Sequence, residues 1–218
     1  MIPVAKGVRH RAALALMDSL AKFVVGHSAP VRLDLARSES DREAVYRLRS
    51  QVVLALGWTG LEGSSDGIER DGCDDDAVHI VAWSGADLAA TARLVFPREG
   101  LLLPTEAAFK IEVAPRGQVA DWGRMAVAPK YQSPGHRVLW GLLAESWLVM
   151  RMHGYSQLCG ILDSKMIGLY HRMGLEFEVL APAQWYWNEE RYSCRFDVAA
   201  SAPRVAQHAS AQATTGIS

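Results

Sequence analysis

Hydrophobic and polar residues follow one another along this chain in blocks, and the period of each block selects an element. From Val31 to Ala36 ("VRLDLA") they alternate one by one, which predicts a strand. Val45, Leu48, Val52 and Leu56 then recur at helical spacing, in a segment that Ser38 or Ser40 can cap and Gly57 ends. "AVHIVAW" and "LAATARLVF" read as strands joined by "SGAD", where Gly85 suits a hairpin turn. "LPTEAAFKI" predicts a short helix and "VADWGRMAV" a strand. Ser133-Pro134 predicts the opening of a helix that runs to about His153, before Gly154. "SQLCGIL" (strand), "SKMIGLYHRM" (helix), "LEFEVL" (strand) and "RYSCRFDV" (strand) follow. The order is β-α-β-β-β-α-β-α-β-β, an α/β (α+β) fold with a mixed central sheet flanked by helices.

The two ends read differently from this middle. Leu14, Met17, Leu20, Ala21 and Val24 fall on one face of an N-terminal amphipathic helix, expected within residues 1–30. Asp18 and Lys22 break the apolar run that a signal peptide would need. The tail from residue 199 to 218 is small, polar and without period, and is expected to be disordered. One domain is expected between them, over residues 31–198. Within it Thr59 to Asp76 is a long polar loop, of the length that often carries function.

Composition narrows the classes of function. A formal net charge of −1 and a pI of about 6.7 give no general basic field for nucleic acid. Three cysteines, Cys73, Cys159 and Cys194, without CxxC spacing suggest neither a disulfide framework nor a metal site, so a reducing cytoplasm is the expected location. No stretch approaches the roughly 20 apolar residues of a membrane span.

The candidate chemistry lies around "DWGRMAVAPKYQSPGHRVLWGLL", residues Asp121 to Leu143. An acid and an arginine stand three apart on a strand that feeds a helix through a tight turn. Phosphate and thioester ligands often sit at such turns, because the first helical amides are unpaired donors. By strict alternation Asp121 and Arg124 point to opposite faces of the strand.

The order of elements, with "MAVAPKYQSPGH" between strand and helix, resembles the GNAT acyltransferase fold. Gln132, Gly135 and Arg137 occupy the three places of that family's turn for pyrophosphate or phosphopantetheine, with Arg137 where a small residue is usual. A narrower resemblance, over about residues 31–198, is to acyl-homoserine-lactone (autoinducer) synthases and N-acyl amino acid synthases. It rests on Arg49, Trp58, Asp71 and Asp74 in "RDGCD", Arg93 in "ARLVFP", and Asp121 and Arg124 in "DWGRMAV". Val53 replaces an aromatic residue and Asp121 a glutamate of the autoinducer series.

The resemblance implies a fourth strand splayed from the fifth, and acyl transfer from a thioester on acyl carrier protein or coenzyme A, with no permanently bound cofactor. The acceptor is the amine of an amino acid, or alternatively S-adenosylmethionine. A plain acetyltransferase and a non-catalytic ligand-binding module are the other readings. Asp121 is the expected base, backbone amides from Met125 to Val127 the oxyanion donors, and Tyr170 the proton source for the thiolate. Arg124 sits with them, and Arg49, Trp58, Asp71, Asp74 and Arg93 are expected to build the acceptor pocket. Trp185, Tyr186 and Trp187 read as an edge aromatic cluster, the alternative being an acyl tunnel. Docking of an acidic carrier would use Lys130, Arg137 and Arg151.

Overall fold

A computed structural model of the chain describes residues 3–58, 68–133 and 136–215. The elements are α1 (Pro3–Gly26), β1 (Arg32–Leu35), α2 (Glu39–Ala55), β2 (Val78–Ser84), β3 (Asp87–Val95), α3 (Pro104–Phe109), β4 (Val119–Val127), α4 (Arg137–Met152), β5 (Gln157–Asp163), α5 (Ser164–Arg172), β6 (Phe177–Val179), β7 (Gln184–Tyr186), β8 (Glu189–Phe196) and α6 (Val198–Thr215). Among the described residues they form one eight-stranded sheet, ordered β1-β2-β3-β4-β5-β8-β6, with β7 on β8. β4 and β5 run parallel; the other pairs are antiparallel. None of the helices is long and apolar enough to cross a membrane.

Local chemistry sets the element ends. Ser38 and Asp41 make a reciprocal capping box at the start of α2. The Asp163 carboxylate accepts from the Met166 amide and opens α5. Helix α4 begins at Arg137, later than the Ser133-Pro134 signal predicts, after His136 takes a left-handed turn at φ 50°.

Strand β4 breaks two regularities. Its pairing with β5 ends at Asp121↔Cys159, although β4 continues to Val127 and β5 to Asp163. The two strands splay beyond that point, so the backbone of β4 on that side has no β5 partner. Gly160 sits at the fork, where its bare Cα passes close to the Trp122 carbonyl. The second irregularity is a bulge. The β3 register steps from Thr91↔Ala126 to Arg93↔Gly123, and Arg124 takes φ 49°. Alternation therefore restarts there. Trp122, Met125 and Val127 face α4, while Ala126 packs with Leu48 of α2. Arg124 joins the face of Asp121, contrary to the reading by strict alternation.

The helical layer beside α4 holds the main core. α1 is a wall of that core rather than an appendage: Ala13, Met17 and Ala21 are buried in it. The tail expected to be disordered forms α6 instead. Asp197 accepts from the Ala200 amide, and Ser201 bonds back to the Asp197 carbonyl and to the Glu176 amide. Val198, Ala202 and Val205 are buried at helical spacing, a stripe of residues too small to stand out in a hydrophobicity pattern. Gly174, at φ 84°, lets α6 come close: a Cβ there would lie 3.0 Å from the Arg204 backbone.

Candidate active site

On the α2 face of the sheet, three arginines meet three acids. Arg49 comes from α2, Arg93 from β3 and Arg124 from the β4 bulge, while Glu69, Asp71 and Asp74 come from the segment before β2. Arg49 grips Asp74 with two nitrogens, at 2.7 and 3.1 Å, and turns its Nε to Glu69. Arg93 Nη1 donates to Asp71 at 2.7 Å and to Asp74 at 2.8 Å. Arg124 donates to Glu69 at 2.9 Å and to Asp71 at 2.8 Å. The segment folds to suit: the Asp71 amide donates to Asp74, the Cys73 amide to Asp71, and the Glu69 amide to Ser50 Oγ. Charge balances within the cluster, which is buried at Asp74 and opens toward solvent at Asp71.

Burial opposes ionisation of Asp74, but Arg49 and Arg93 outweigh it and hold its carboxyl well below the ordinary range. Asp71 is lowered too, with burial again overcome by Arg93 and Arg124. A carboxylate with a depressed folded pKa contributes stability that is present above its ordinary pKa, about 3.9, and is lost as pH falls through the folded value. The acid limb of a urea-denaturation pH series should therefore steepen below about pH 4, and Asp74→Asn should flatten it. An unchanged slope in the variant would mean that Asp74 is not the ionised centre of the network.

Asp121 is separate from this exchange. It is 3% exposed, accepts from the Thr105 amide at 2.7 Å, and lies 3.6 Å from Cys159 Sγ. It thus holds the first turn of α3 against the last paired residue of β4. Burial is the largest influence on it and pushes its carboxyl up, against the pull of Thr105 and Arg93.

Aromatic rings extend the charged face. The Arg124 guanidinium stands 4.2 Å from the Trp187 ring centre, and that of Arg191 stands 4.3 Å from the Trp58 ring centre. The two tryptophan rings are 6.2 Å apart. Trp187 reaches this place because Trp187 and Asn188, both at positive φ, turn β7 into β8. Trp185, by contrast, is 75% exposed at the edge. Glu69 and Arg191 were not singled out in the sequence. Glu69 alternates with Asp71 in an extended run, and Arg191 with Ser193 in the last strand; those spacings were the available signals.

On the opposite face, Tyr170 of α5 is fully buried between Trp122 and Phe177, with its hydroxyl 3.7 Å from Met125 Sδ. Burial keeps the phenol protonated. An apolar cavity of about 70 Å³ opens nearby among α1, α4, α6 and the forking strands. It is lined by Met17, Ala21, Trp122, Ala144, Leu158 and Phe177, among others. One buried water needs about 10–15 Å³ by the same measure.

The phosphate-turn residues are less drawn together. Gln132 donates to the Val127 carbonyl at 3.0 Å and Arg137 to the Ala29 carbonyl at 3.2 Å, while Gly135 lies outside the described residues. Lys130 is paired with Asp87 at the surface. Arg151 is in the last turn of α4, bound to Asp18, so it does not stand near the turn with Arg137. The fourteen residue steps from one to the other along α4 span about 21 Å at 1.5 Å per residue.

A mostly antiparallel sheet with one parallel pair, flanked by helices, matches the fold of GNAT-like acyltransferases. The family model for the N-acyl amino acid synthase FeeM matches residues 44–188, and the chain belongs to that family. Solved structures agree in fold. The AHL synthase LasI superposes with a TM-score of 0.63 at 13% identity, over 77% of this chain and 90% of that one. TofI, in a ternary complex with an inhibitor and MTA, gives 0.61 at 23% identity, over 80% and 95%. FeeM from uncultured soil microbes gives 0.59 at 16% identity, over 77% and 91%. No curated protein sequence matches the chain.

Proposed function

We propose that this acyltransferase moves a medium or long acyl group from a thioester, on acyl carrier protein or coenzyme A, to the α-amine of an amino acid. The observation that carries the reading is the fork of β4 and β5, which has the apolar cavity on one side and the charged, aromatic face on the other. The acyl chain lies in the cavity, the thioester carbonyl at the unpaired edge of β4 around Met125 to Val127, and the amine arrives from the face of Arg124. Backbone amides on that edge stabilise the oxygen as it gains charge. The amine nitrogen forms the C–N bond, the C–S bond breaks, Asp121 takes the amine proton, and Tyr170 protonates the thiolate. Arg137, at the first turn of α4, meets the donor phosphate.

Arg49, Arg93, Asp71 and Asp74 shape the acceptor side by holding one another, so neither Arg49 nor Arg93 is left to clamp a substrate carboxylate. S-adenosylmethionine is the weaker acceptor. Its sulfonium would need a free aromatic face, and guanidiniums already lie over Trp58 and Trp187. Mass spectrometry of products from acyl-carrier-protein and acyl-CoA donors with amino acids or S-adenosylmethionine tests the reading; an acyl-homoserine lactone with methylthioadenosine would overturn it. Ala144→Phe, which fills the cavity, should lower kcat/KM for a decanoyl donor at least about tenfold relative to butyryl, as one to a few displaced methylenes imply. An unchanged ratio would place the acyl chain elsewhere.

A further inference from the structure

Among the described residues, three side-chain donors on the charged, aromatic face beside the fork have no acceptor; Trp122 Nε1, also unpartnered, belongs to a residue on the opposite, cavity face. Arg191 Nε, Ser193 Oγ and Trp58 Nε1 are each buried and unpartnered. Unpaired buried donors are rare in folded proteins and call for an explanation. Arg191 and Ser193 are two apart on β8 and share a face, and their register partners on β5 are Asp163 and Ile161. Those β5 residues lie beyond the fork, where β4 has departed. Arg191 is only 8% exposed, and its recorded ion pair is a long one, 3.3 Å from Nη2 to Glu189. Burial pulls its pKa down, with Glu189 and Asp163 opposing and Arg124 adding to the fall. The charged network of Glu69, Asp71 and Asp74 is already balanced by its own arginines.

We propose that Arg191, with Trp58 Nε1 and Ser193 Oγ, binds the α-carboxylate of the acceptor. The proposal rests on the amino acid acceptor of the preceding section. A guanidinium edge with two neutral donors matches a singly charged, planar anion. The placement also suits the chemistry. β8 lies one strand spacing, about 4.8 Å, beyond β5, and an α-amine is two bonds from its carboxyl carbon. A carboxylate on Arg191 therefore directs the amine toward the fork. Trp58 and Trp187 form the wall between Arg191 and Arg124 and leave the acceptor's side chain to extend outward.

The test compares an amino acid acceptor with its primary amide, using the full-length protein with both acyl-CoA and acyl-carrier-protein donors. The intact chain should favour the acid by about 100-fold or more in kcat/KM, as sites built around a charged partner do. Arg191→Gln should raise KM for the acid and shrink the acid-to-amide preference at least about tenfold. Trp58→Phe keeps the ring under Arg191 but removes one donor, and should shrink the preference about 3- to 10-fold; Ser193→Ala should act in the same direction. These two carry the test if Arg191→Gln does not fold. Equal use of acid and amide by the intact chain, or a preference unchanged in the variants, overturns the carboxylate site while leaving acyl transfer in place. Failure to acylate any amino acid overturns the function reading and the site together.

Discussion

Asp74→Ala is expected to destabilise the fold by about 3–5 kcal/mol, the usual loss when one partner of a buried ion pair is removed. Asp74 is 2% exposed and accepts from Arg49, Arg93 and the Asp71 amide. Without it, two buried guanidiniums lose their shared carboxylate, and the segment before β2 loses its internal tie. For a chain of this size each kcal/mol moves the melting temperature by roughly 2–4 °C, so a fall of about 6–20 °C should appear in a thermal melt. A shift within about 2 °C would show that the network adds little beyond an exposed pair.

The second large effect is on rate. Asp121→Asn should lower kcat by about 10²–10⁴, the contribution of a general base. The substitution separates chemistry from support. An asparagine oxygen can still accept from the Thr105 amide, so the hold on α3 survives and melting should stay close to the parent chain. Pre-steady-state donor binding should be unchanged. A variant with near-parental turnover would remove Asp121 from the mechanism and leave it as the tie between β4 and α3.

Much of the architecture was legible, because large hydrophobic residues set the period of α2, α4 and the central strands. What escaped detection was built from small residues or from irregular backbone. The α6 stripe is Val198, Ala202 and Val205, and its cap is Asp197; both Asp197 and Val198 fall inside the segment "RYSCRFDV" that alternation predicts as a strand. The bulge at Arg124 has only a faint mark in sequence, the isolated Gly123 beside it, because which residue takes positive φ is set by the sheet around it. Alternation therefore put Arg124 on the wrong face. The acidic segment was legible as a series of residues, with Arg49 and Arg93 expected in the same pocket as Asp71 and Asp74, but only the fold brings Glu69 between Arg49 and Arg124. Arg191 was hidden for a similar reason, since an arginine on a last strand has no signature until the strand beside it parts from β4.

The cavity wall has one further consequence. The six charged residues of the network and Asp121 lie within residues 44–188, the span that the family model matches. Met17, Leu20, Ala21, Val24, Phe196 and Val205, which close the cavity, lie outside it. On the proposed reading, part of the wall that would meet the acyl chain is thus written outside the stretch that carries the proposed chemistry, while Trp122, Ala144, Leu158 and Phe177 of the same wall lie inside it. If the acyl chain occupies the cavity as proposed, mutations in the two terminal helices should retune which donor is accepted while the proposed reacting groups stay in place. On that proposal the scaffold has a route to new products during evolution, through residues of the two terminal helices that face the cavity and not the forked strand pair.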